Sequence, residues 1–176
     1  MSKTQQNLQQ AFAGESQANR KYLACAKQAD KEGYPQAAKL FRAAAEAETV
    51  HAHAHLRAMG DIKTTAENLK SAISGETHEF KEMYPQMIED AKKEGDKTAE
   101  RSFVYANKVE KVHAGLYQKA LDNIESLEEV DYFVCSVCGY TCEDEPPDQC
   151  PVCGSKARAF LKLPAASYGE SSTVKE

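Results

Sequence analysis

From residue 1 to about residue 127, apolar positions come singly or in short clusters, most of them Ala, set among Glu, Lys and Gln. These are good helix formers, and only two prolines, Pro35 and Pro85, interrupt them. The punctuation predicts four helices. The first covers roughly residues 4–31 and stops at Gly33, where Pro35 is placed to open the second. The second runs to about Met59 and ends at Gly60. "TTAE", Thr64 to Glu67, is a capping box that opens the third, which ends at Gly95 with Pro85 as a kink inside it. Asp96 caps the fourth, which continues to about Leu127. Helices of about 25–30 residues span about 37–45 Å. Joins this short make neighbours antiparallel, as in a four-helix bundle.

The pattern changes after residue 130. Residues 131–164 hold four of the six prolines and five of the six cysteines, and the last dozen, "AASYGESSTVKE", read as a polar tail. The chain therefore divides into a helical bundle (1–130), a small cysteine module (131–165) and a tail (166–176). No apolar run is long enough to span a membrane. The N-terminus "MSKTQQNLQQAFAG" lacks the layout of a signal peptide. A net charge of −5 argues against a nucleic-acid surface. Four cysteines form two C-x-x-C pairs within nineteen residues, which points to a metal site in a reducing cytoplasm rather than to disulfides.

The helical halves repeat each other. "AGESQANRKY" and "SGETHEFKEMY" each carry Gly-Glu and a later Tyr, giving Glu15 with Tyr22 and Glu76 with Tyr84. "ETVH" and "EKVH" give Glu48 with His51 and Glu110 with His113. Glu15 to Glu48 is 33 residues, and Glu76 to Glu110 is 34. Any one Glu on a helix is ordinarily a solvated residue, but two Glu-x-x-His pairs matched by two single Glu make an internal repeat of a helix hairpin. One Glu from each of two helices plus Glu-x-x-His from each of two others is the ligand set of di-iron and di-manganese carboxylate bundles. Buried carboxylates are costly without cations, and carboxylate-rich, thiolate-free donors with two imidazoles suit iron or manganese.

The repeat also sorts the histidines. His113 is the counterpart of His51, whereas His53 and His55 match Gly115 and Tyr117. His51 is the ligand, His53 a surface residue, and His55 a packing or hydrogen-bonding residue; His78 is also expected at the surface. Glu79 breaks the symmetry, since it shares the face of Glu76 where the first half has Ala18. A surplus carboxylate that exchanges with His51 would let one metal change position with its charge.

In "CSVCGYTCEDEPPDQCPVCG" the pairs are Cys135/Cys138 and Cys150/Cys153, each closed by a glycine, Gly139 and Gly154. Four thiolates specify tetrahedral iron or zinc, and taken alone a structural zinc ribbon is the commoner outcome. Cys25 and Cys142 have no partners at ligand spacing; Cys25 is expected in or near the core and Cys142 in a loop. With "GESQANRKY", "AEAETVHAHAH", "GETHEF", "EMYP" and "VEKVHAGLY" in order before it, the chain resembles the rubrerythrin family over nearly its whole length.

That resemblance implies a ferritin-like bundle with a non-haem di-iron centre, followed by a rubredoxin-like domain with one iron held by four cysteines. It implies reduction of hydrogen peroxide to water, with electrons passing through the Fe(Cys)4 site from rubredoxin or an NAD(P)H-linked reductase. Glu48 and Glu110 would bridge the irons, and Glu15 and Glu76 would cap them. His113 would bind one iron, with Glu79 and His51 as alternative ligands of the other, and Tyr22 and Tyr84 would hydrogen-bond the carboxylates. A homodimer is implied, without nucleic-acid or membrane partners. The rival readings are ferroxidase or dioxygen reduction at the same cluster, and, outside enzymes, iron storage or electron carriage.

Overall fold

The structure, a computed structural model, describes residues 1–164; the tail expected at 166–176 lies outside the described residues. The fold class is the one expected: mainly α, with ferritin-like helix hairpins followed by a small cysteine-rich module. The chain forms two compact units, residues 1–64 and residues 65 onward.

The first unit is a helix hairpin, α1 (Lys3–Lys31) and α2 (Pro35–Met59). Its contacts pair rising numbers on α1 with falling numbers on α2, so the helices are antiparallel. Tyr22 meets Phe41 with ring centroids 6.2 Å apart, and exposed Asp30 and Arg42 pair at 2.7 Å. Buried Ala38, Ala45 and Ala52 recur every seven residues along α2 and form a smooth stripe that allows close approach. Asn19, only 8% exposed, ties the pair: its Nδ2 donates to the Ala45 carbonyl at 2.7 Å and to Thr49 Oγ1 at 2.8 Å. Cys25 is exposed, which corrects the core placement. Its neighbour Ala26 and then Ala29 hold the buried positions of this part of α1 instead.

The second unit repeats the hairpin with one interruption. Helix α3 (Thr65–His78) passes through a π-helical turn (Glu79–Met83) into α4 (Tyr84–Glu94), and both pack against α5 (Lys97–Asp122). Tyr84 meets Phe103 at 6.3 Å, repeating the Tyr22–Phe41 pair. The interruption was expected as a kink at Pro85 but is a widened turn just before it, where the Tyr84 N–H bonds to the Glu79 carbonyl. Pro85 has no N–H to give, and it sits in the first turn of α4, where none is needed. The turn also settles a numerical mismatch. Glu15 and Glu76 are 61 positions apart, whereas Tyr22/Tyr84, Glu48/Glu110 and His51/His113 are 62 apart. One extra residue lies between Glu76 and Tyr84, and the π turn accommodates it.

Helix α5 opens on Asp96, whose carboxylate accepts from the Thr98 and Ala99 N–H groups at 2.9 Å. It ends at Asp122, short of the expected Leu127, because Asn123 turns its side-chain amide back onto the Lys119 carbonyl at 2.8 Å.

The cysteine module is a three-stranded antiparallel sheet of β1 (Tyr132–Cys135), β2 (Thr141–Glu143) and β3 (Phe160–Lys162), in the order β2-β1-β3. Its core is Cys135, Cys150 and Phe160, with Tyr140 edge-on to Phe160. Cys142, expected in a loop, lies in the middle of β2 opposite Phe133. Alternate residues of this segment face α5 in the same unit. A Cβ at Gly139 would sit 3.8 Å from Val109, Thr141 meets His113 at 3.1 Å, and Glu143 pairs with Lys119 at 2.6 Å.

Candidate metal centres

The expected carboxylate and histidine ligands gather in two triads, Glu15–Glu48–His51 in the first unit and Glu76–Glu110–His113 in the second. Within each triad one donor atom per residue lies within 4.8 Å of the others. In both, the histidine Nδ1 lies 2.8 Å from a carboxylate oxygen three residues earlier. That Nδ1–Oε2 separation is a hydrogen-bond distance, so each histidine pairs with the glutamate one turn before it. Glu79 belongs to neither triad. His53 and His78 are exposed and His55 half-buried, as expected; His78 Nδ1 pairs with Glu82 at 3.2 Å.

Electrostatics favours a cation in the second triad. Burial, then the charge and hydrogen bond of Glu110, hold the Glu76 carboxyl above its ordinary value, against the pull of His113. Burial raises the Tyr84 phenol, and the carboxylates of Glu110, Glu79 and Glu76 raise it further. Tyr84 therefore stays a hydrogen-bond donor, and Glu79 lies near enough for its charge to be felt. Tyr117 is raised by burial and by Glu76 and Glu110. The repeat marked Tyr117 only as the counterpart of His55, although its place one turn after His113 was the signal that could have found it.

The four paired cysteines converge at the other centre. Cys135 and Cys153 sulfurs are 3.6 Å apart, and those of Cys138 and Cys150 are 3.5 Å apart. Sulfurs at about 2.3 Å from a tetrahedral metal would be about 3.8 Å apart, so the thiols are poised for one ion. The knuckles form through Gly139 and Gly154, at φ +85° and +76°, whose N–H groups bond back to the carbonyls of Cys135 and Cys150. Burial pushes the Cys138 thiol up. Burial also works against ionising Cys153, yet hydrogen bonds with the Ser155 side chain and backbone bring it down to about 6. The thiolate is the form that binds metal. Cys142 stays outside the cluster, its sulfur 3.6 Å from the Glu145 carbonyl, and burial raises its thiol.

The family model described as Rubrerythrin matches residues 6–121, and the one described as Rubrerythrin, rubredoxin-like domain matches residues 133–160. The chain belongs to the rubrerythrin family. Rubrerythrin-2 of Clostridium acetobutylicum is 38% identical, over 87% of this chain and 92% of its own. The rubrerythrin of Porphyromonas gingivalis is 37% identical, over 90% and 89%. The fully reduced, all-ferrous structure of nigerythrin is similar at a TM-score of 0.57 and 32% identity, covering 93% of this chain and 88% of that one. Among the described residues no helix is long and apolar enough to cross a membrane.

Proposed function

We propose that this rubrerythrin-family protein is a non-haem di-iron peroxidase that reduces hydrogen peroxide to water. Its electrons would be delivered through an Fe(Cys)4 site by rubredoxin or an NAD(P)H-linked reductase. Family membership and the two kinds of ligand cluster support a peroxidase-type redox function. The observation that carries the reading is the duplicated triad, with one Nδ1–Oε2 separation in both halves. Together the triads offer four carboxylates and two imidazoles, a donor set suited to two irons. When bound, such a pair supplies the two electrons that reductive cleavage of one peroxide requires.

The residues' roles are those that the family resemblance implies. Glu48 and Glu110 would bridge, having two oxygens each, and Glu15 and Glu76 would cap the two ions. His113 would be a fixed ligand, with Glu79 and His51 alternating at the other position. Tyr22 and Tyr84 would donate to ligating carboxylates, and the raised Tyr84 phenol favours that protonated role. A cytoplasmic homodimer is the working form under this proposal.

The test is metal content and turnover. Anaerobically purified protein should carry about three irons per chain, two for the carboxylate bundle and one for the four-cysteine site. The oxidised protein should be red from thiolate-to-iron charge transfer. Peroxide should be turned over faster than dioxygen. Colourless protein with zinc in the four-cysteine site after growth in iron-rich medium, or preference for dioxygen, would refute the proposal.

A further inference from the structure

We propose that Thr141, on strand β2 of the cysteine module, is a positioning residue for the second triad: its hydroxyl keeps a proton on His113 Nε2 and leaves Nδ1 open as the ligand atom. The inference rests on reading Glu76, Glu110 and His113 as metal ligands. Thr141 Oγ1 lies 3.1 Å from the Gly139 carbonyl and 3.1 Å from His113 Nε2. A carbonyl can only accept, so the single hydroxyl proton goes to Gly139. The oxygen that faces His113 is then an acceptor, and Nε2 must donate to it. Across the ring, Nδ1 lies 2.8 Å from Glu110 Oε2 and 3.9 Å from Glu76 Oε2. Held at Nε2 by Thr141, the ring presents Nδ1 to the Glu110 and Glu76 oxygens, where a cation would take the place of the Nδ1–Glu110 hydrogen bond. Fixing the tautomer of a ligating histidine through its distal nitrogen is a general means of orienting it.

The His51 side chain is 56% exposed against 27% for His113. Both histidines pair through Nδ1 with the glutamate three residues before them, and the docking of β2 on α5 gives His113 a second hold, at Nε2. This supplies a physical reason why the exchangeable ligand would be His51 rather than its repeat partner.

The experiment uses full-length protein with zinc filling the four-cysteine site, and adds zinc to the carboxylate sites by calorimetry. Thr141→Val removes the hydroxyl at similar shape, and Thr141→Ser keeps it. Thr141→Val should lose affinity at the second triad about 10- to 100-fold, and Thr141→Ser should stay near wild type. Nitrogen-resolved NMR of the zinc-loaded protein should show a slowly exchanging His113 Nε2–H in wild type and Thr141→Ser, and fast exchange in Thr141→Val. Equal affinity and equal protection in Thr141→Val overturn the inference and leave the ligand reading intact. If zinc binding is insensitive to Glu76→Gln and Glu110→Gln, the ligand reading falls and the inference with it. Should Thr141→Val fail to fold, judged by the red colour of iron-loaded samples, wild type alone decides, since a fast-exchanging Nε2–H or the Nδ1–H tautomer in the zinc form overturns the proposal.

Discussion

Asn19 sets the register between the two helices that carry Glu15 and Glu48, and replacing it tests how much that register is worth. It lies one turn beyond Glu15, and its partner Thr49 is adjacent to Glu48. Asn19→Leu keeps the branching and the number of side-chain heavy atoms and removes two hydrogen bonds, to Ala45 at 2.7 Å and Thr49 at 2.8 Å. Each contributes about 1 kcal/mol net when buried. Neither partner is stranded, because Thr49 Oγ1 keeps its 3.2 Å bond to the Ala45 carbonyl. Asn19 Oδ1 is itself buried without a partner, so its removal offsets part of this cost, and the expected loss is about 1 kcal/mol. For a chain of this size that lowers the melting temperature by about 2–4 °C. Asn19→Ala should lose about 1 kcal/mol more through the void it leaves.

The assay is circular dichroism of metal-free protein at neutral pH, in heat and in urea, together with Thr49→Val and the double variant. Asn19 and Thr49 share one bond, so the double variant should cost less than the two single changes combined. Zinc uptake by the first triad should weaken in Asn19→Leu while the four-cysteine site fills normally. A melting temperature within about 1 °C of wild type, or strict additivity with Thr49→Val, would refute the idea that this contact holds the register.

Other expectations concern the metal sites directly. Glu79→Ala should still bind two irons when reduced, because His51 remains, but should lose peroxide turnover; wild-type turnover would remove Glu79 from the mechanism. Cys138→Ser with Cys153→Ser should leave one fast oxidation of pre-reduced di-iron by peroxide in stopped flow, while steady-state turnover with an enzymatic reductant collapses. Glu76, raised above its ordinary 4.5, stabilises the metal-free fold fully below that pH and loses this contribution as pH rises through its elevated value. Urea midpoints of metal-free Glu76→Gln should therefore gain on wild type between pH 4.5 and neutrality, and parallel profiles would contradict the shift.

Much of the helical framework was legible because its boundaries depend on local chemistry. Gly60 and Gly95 end helices in the left-handed conformation, and Asp96 caps α5, all readable from single residues. The triads were legible because a repeat makes each half a check on the other. What escaped the sequence depends on contacts made at a distance or on small competitions. The stop at Asn123 turned on one side-chain amide against an otherwise helical run. The exposure of Cys25 depended on which side of α1 faces α2, and Ala26 and Ala29 took that side. Thr141 is 28 residues from His113, and nothing in "CGYTCED" signals that a hydroxyl there meets an imidazole.

The π turn at Glu79–Met83 carries a consequence for how the second hairpin can vary. An added residue in an ordinary helix rotates everything beyond it by about 100°, which would swing either Glu76 or Tyr84 off its face. Here the surplus is confined to five residues, so the helix keeps one reading frame before the turn and another after it. Glu76 stays aligned with Glu15, and Tyr84 with Tyr22. Glu79 opens the turn, at the position where the first half has Ala18, so the repeat leaves this carboxylate unmatched. One added residue is thus absorbed without turning Glu76 or Tyr84 off its face.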